Sequence, residues 1–95
     1  MAELDPNLLA PTRLKLMTML TAVTEVEFAV LRDSLGVSDS VLSKHVATLV
    51  DAGYARSRKG THDGRRTTWV ALSPIGRKAL RSHVAALREI IEGID

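Results

Sequence analysis

Eight basic side chains crowd the middle of this 95-residue chain. Residues 54–83 carry Arg56, Arg58, Lys59, Arg65, Arg66, Arg77, Lys78 and Arg81 against Asp63 alone, whereas residues 1–53 hold four basic groups against seven acidic ones. The net charge is only +2, so the separation is more informative than the total. Charge sorted in this way is the footprint of a surface that meets a polyanion; a solvated basic face is the alternative reading of the charge by itself. A second group of candidates is shorter and nearer the N-terminus: Ser38, Asp39, Ser40, Ser43 and Lys44. Small hydroxyls and one lysine can hydrogen-bond phosphates and base edges while letting a helix sit close to its target.

Other chemistries find little support. The chain has no cysteine, which excludes disulfides, thiol switching and thiolate metal sites. His45, His62 and His83 share no i, i+4 spacing, so no metal and no cofactor are expected. No serine lies in a nucleophile motif and no glycine-rich phosphate loop is present, so an enzyme is not expected. Residues 1–9 lack a basic region followed by an apolar run, and no apolar stretch reaches the roughly 18–20 residues of a membrane span. A cytoplasmic protein away from the membrane is the expectation.

The elements that must position these residues follow from periodicity and caps, and they fill one domain, 1–95. After a lead-in at 1–9, Pro11 opens a helix over 11–22, with Leu14, Met17 and Leu20 at helical spacing. A second helix is predicted over 26–35, where Phe28, Leu31 and Leu35 share a face; residues 23–26 could instead supply a short strand. Gly36 ends it. Ser38 caps a third helix over 39–52, its buried face marked by Leu42, Val46 and Leu49. Residues 54–72 read as a hairpin, with 60–64 as its flexible loop and Asp63-Gly64 as a turn signal. Arg58, Lys59, Arg65 and Arg66 flank that loop. Ser73-Pro74 opens a last helix over 74–93, on which Leu80, Val84, Leu87, Ile91 and Ile94 step by four, three, four and three. The fold class is therefore α+β: a three-helix core, a β-hairpin wing and a long C-terminal helix.

With this order in place, the chain resembles winged helix-turn-helix regulators of the MarR and ArsR types. Pro11-Thr12-Arg13-Leu14-Lys15-Leu16-Met17 is similar to the opening helix of ArsR-like domains, and residues 38–46 resemble their recognition helix. Asp51-Ala52-Gly53-Tyr54 resembles the helix-to-strand exit. Gly64-Arg65-Arg66-Thr67-Thr68-Trp69 and Leu72-Ser73-Pro74-Ile75-Gly76 are similar to the wing and the last helix of MarR-like proteins. The likeness covers about residues 10–80. Two departures stand beside it: the chain is too short for the full helical extensions of MarR-like proteins, and it lacks the cysteines of metal-sensing ArsR-like ones. No sensing role is carried over.

The resemblance implies sequence-specific binding of double-stranded DNA by a homodimeric transcriptional regulator, most simply a repressor. Ser38, Asp39, Ser40, Ser43, Lys44, Lys59, Arg65 and Arg66 are the expected DNA-binding residues. The dimer interface is expected at Leu8, Leu9, Leu14, Leu80, Val84, Leu87, Ile91 and Ile94, because a near-heptad stripe seeks a partner helix. His45 should pack or contact DNA, His83 should lie on the surface or at an interface, and Trp69 should pack over neighbouring arginine stems. The rival from another class is a winged-helix module that binds an acidic protein partner.

Overall fold

A short 3-10 turn at Pro6–Leu8 precedes the first helix, α1 (Pro11–Leu20), in the computed structural model, which describes residues 2–94. Strand β1 (Val26–Glu27), helix α2 (Phe28–Leu35), helix α3 (Asp39–Asp51), strands β2 (Ala55–His62) and β3 (Arg65–Leu72), and helix α4 (Pro74–Glu92) follow. The three strands form one antiparallel sheet in the order β1-β3-β2. No helix among the described residues is long and apolar enough to cross a membrane.

Local chemistry accounts for most of these boundaries. The Ser38 hydroxyl accepts the Val41 N–H at 3.2 Å and starts α3, a cap that contributes about 1 kcal/mol. Gly36 ends α2 in the left-handed region, at φ 66°, where a side chain would be strained. Its N–H and that of Val37 return to the Arg32 carbonyl, which produces the tight turn into α3. At the tip of the hairpin, Asp63 and Gly64 both have positive φ, 52° and 77°, the signature of a two-residue type I′ turn.

Two expected boundaries move for a common reason. The second helix starts at Phe28 and not at 26, because Val26 and Glu27 pair with Val70 and Trp69 across β3. Residues 60–62, expected in a loop, extend β2, with Gly60 opposite Thr67, Thr61 opposite Arg66 and His62 opposite Arg65. In both places a ladder of backbone hydrogen bonds, available only once the distant strand is in position, overrides the local preference.

Leu16, Met17, Leu20, Leu31, Leu42, Leu49 and Val70 are fully buried and bring α1, α2, α3 and the sheet into one aliphatic core. Each buried leucine contributes about 1.5–3 kcal/mol. The first turn of α4 is pinned closely: the Ser73 hydroxyl accepts the Gly76 N–H at 2.9 Å and donates to the Gly53 carbonyl. A Cβ on Gly76 would lie 2.0 Å from the Tyr54 carbonyl oxygen, so only glycine permits this approach.

Candidate DNA interface

The buried face of α3 (Leu42, Val46, Leu49) turns the opposite face outward, and Ser40, Ser43, Lys44 and Ala47 are all exposed there. Because side chains alternate along a strand, the register then decides which wing residues share that side of the molecule. Val70 is buried and stands opposite Ser57; next on the same face come the pairs Lys59–Thr68 and Thr61–Arg66. Lys59 and Thr68 line an open cleft of about 580 Å³ against Asp39, Ser43, Ala47 and Val50 of α3. The Lys59 ammonium donates to the Thr68 hydroxyl at 3.3 Å, which leaves donors to spare for an anion. Lys44, Arg65 and Arg66 make no ion pair among the described residues.

The other face of the wing is chemically different. Arg58 lies opposite Trp69, and its guanidinium carbon sits 5.6 Å from the centroid of that ring. The same guanidinium pairs with both carboxylate oxygens of Glu25, its Nε donating at 3.0 Å, and Glu25 raises the Arg58 pKa above the ordinary arginine value. Gly60 makes room for this stack, since a Cβ there would lie 2.8 Å from the Arg58 side chain and 2.9 Å from the indole. His62 meets Trp69 edge to face with centroids 5.8 Å apart. Trp69 thus packs over an arginine, as expected, and Arg58 is held by an acidic partner. Arg65, one residue from Arg66, projects to this outer face. The two adjacent arginines are thereby separated.

Two further expected DNA-binding residues, Ser38 and Asp39, are already engaged within the chain. Ser38 caps α3 and lies 3.2 Å from the Ser40 hydroxyl. Asp39 accepts from Arg32 at 3.0 Å. Periodicity gave no reason to single out Arg32, although a basic residue in the last turn of α2, seven positions before an acidic one opening α3, is a visible signal.

The histidines also find intramolecular partners. His45 is half-buried beside Arg13, Nδ1 to Nη1 3.2 Å, so it packs as one of the two expected alternatives required. Burial first, and the Arg13 charge second, lower its pKa from 6.5. His83 overturns the expectation of a surface or interface residue: it is 1% exposed and its Nδ1 accepts the Asp5 N–H at 2.8 Å. The Asp5 carboxylate in turn accepts from the Tyr54 hydroxyl and the Asn7 N–H, and the bond to Asp5, with burial second, raises the Tyr54 pKa. The lead-in is therefore a strap that fastens α4 to the end of α3, and it buries Leu8 completely.

The expected dimer residues divide. Leu8 and Leu80 belong to the protomer's own core, with Leu14 and Val84 packed against it. Leu9, Ile91 and Ile94 are 57%, 63% and 72% exposed, and Leu87 is half-buried. Ile90, which the stripe did not include, is also exposed. The apolar stripe of α4 therefore fills the core with its first half and remains open along its second.

Residues 12–91 match the winged helix DNA-binding domain family. Among known proteins, an uncharacterized protein of Methanocaldococcus jannaschii is 24% identical over 83 residues, which cover 87% of this chain and 90% of that protein. The solved structure of a transcriptional regulator homologue from Pyrococcus horikoshii superposes with a TM-score of 0.87 at 25% identity, covering 94% of this chain and 88% of the other. A MarR family transcriptional regulator from Silicibacter pomeroyi gives 0.70 at 27% identity, covering 92% of this chain but only 60% of its own length.

Proposed function

The chain belongs to the winged helix DNA-binding domain family, and from that premise we propose that it binds double-stranded DNA as a homodimeric transcriptional regulator, most simply a repressor that occludes a promoter. The observation that carries this reading is the shared cleft: the exposed face of α3 and the Lys59 face of the wing open on the same side. A duplex there would receive α3 in its major groove, with Ser40, Ser43 and Lys44 at base edges and phosphates. Lys59 and Arg66 would neutralise phosphates beside it, and Arg65 would reach the duplex from the far face of the wing. Ser38 caps the start of α3 and Asp39 is paired with Arg32, so neither contacts the duplex directly.

The dimer is the second part of the proposal. Leu9, Leu87, Ile90, Ile91 and Ile94 remain wholly or partly exposed once the protomer has folded, and a second copy of α4 is the simplest cover for those on that helix. The transcriptional role is supported by the similarity to regulators of known fold at 25–27% identity. Selecting bound duplexes from a random library tests all of it. A palindromic winning site, bound with steep salt dependence by a dimer, is the expected result. Absence of retention on any duplex at 50 mM salt would refute the reading and favour an acidic protein partner.

A further inference from the structure

Asp39 is an awkward residue to find at a DNA interface. It opens α3 with its side chain 69% exposed, and it lines the cleft together with Ser43 and Lys59. A carboxylate in the first turn favours the helix, but it stands where phosphates would pass and would repel them. Resting on the DNA-binding reading above, we propose that Arg32 is a positioning residue for recognition, cancelling the Asp39 charge at the mouth of the cleft so that a DNA strand can approach α3.

The geometry is that of a held clamp. Arg32 Nη1 donates to Asp39 Oδ1 at 3.0 Å, while its Nε donates to Asp33 Oδ1 at 2.9 Å. Asp33 therefore fixes the plane of the guanidinium, and the remaining N–H edge is aimed across the turn at Asp39. Both carboxylates raise the Arg32 pKa well above its ordinary value, Asp33 the more. The backbone of the same residue accepts the N–H groups of Gly36 and Val37 at 3.0 and 3.3 Å. One residue thus closes α2, spans the turn and pairs with the acidic group that opens α3. The pair is exposed to solvent, and exposed ion pairs add little to stability. Its value lies in where the charges sit.

A double-substitution cycle separates this role from its competitors. Wild type, Arg32→Gln, Asp39→Asn and the double variant are titrated by fluorescence anisotropy against a selected duplex and a random one at 50 mM salt. Arg32→Gln should weaken both complexes about tenfold by unmasking the carboxylate. Asp39→Asn alone should hold affinity within about threefold of wild type or tighten it, and in the Arg32→Gln background it should restore binding to within about threefold. An Arg32→Gln loss that persists in the double variant would show direct phosphate contact by Arg32 and overturn the masking role. A tenfold loss in Asp39→Asn alone would overturn it too, and this arm stands even should Arg32→Gln fail to fold. Wild type that binds neither duplex would refute the DNA-binding reading, a result distinct from wild-type binding without rescue.

Discussion

Arg65 and Arg66 are neighbours in the chain, yet they should contribute differently to DNA binding. Arg66 shares its face of the wing with Lys59 and Thr68 and therefore with α3. Arg65 shares the other face with Arg58 and Trp69, where Arg58 is already paired with Glu25. Replacing Lys59 and Arg66 by Ala should remove two phosphate contacts per protomer. Each contact carries about 0.9 of the slope of log K against log salt, so a dimer should lose about 3.6 of slope. Between 50 and 200 mM salt, that difference makes the wild-type affinity fall roughly a hundredfold more than the variant's. Arg65→Ala should flatten the slope by less than half of the roughly 0.9 per protomer lost in Arg66→Ala, and Arg58→Ala should leave it unchanged. The assay is anisotropy on selected and random duplexes over that salt range, after circular dichroism has shown each variant folded. Slopes that are equal for Arg65→Ala and Arg66→Ala would refute the argument from the pleat. A loss confined to the selected duplex would assign base reading to the wing.

Leu87→Asp should give monomers in sedimentation, since the half-buried Leu87 lies on the open half of the α4 stripe and a charge there has no partner; wild type that sediments as a monomer at tens of micromolar would remove the dimer from the proposal. Gly76→Ala should destabilise the fold by about 1–3 kcal/mol, because the added Cβ meets backbone and not a movable side chain; thermal unfolding would register this as a fall of roughly 4–8 °C per kcal/mol. His45 has a native pKa below the ordinary 6.5, so the unfolded chain takes up its proton first as pH falls. Its contribution to stability is complete above 6.5 and is lost as pH falls through the window beneath it. Denaturant unfolding should show that loss in the wild type and a flatter profile in His45→Gln; identical profiles would show that His45 carries none of it.

The amino-acid sequence by itself determined the helices, the caps at Ser38 and Ser73, the stop at Gly36, the Asp63-Gly64 turn and the clustering of basic residues around the hairpin. All of these depend on spacing and on the conformational preferences of a few adjacent residues, which a linear pattern records directly. That Arg65 and Arg66 part company follows from the extension of β3 to Arg65, which places both inside the ladder. Which of them joins α3 was decided only by the burial of Val70 against the helices. Tertiary structure likewise decided that Arg58 is spoken for by Glu25, that Asp39 is paired with Arg32, and that Val26–Glu27 is strand and not helix. His83 is the clearest case. Its place on α4 was readable, but its burial depends on Asp5, 78 residues away, supplying a backbone N–H to its ring. The same strap buries Leu8 and leaves Leu9 exposed, dividing two adjacent leucines between core and surface. Such pairings join parts of the chain with no local relation, and they exist only when the whole core has brought those parts within hydrogen-bonding distance.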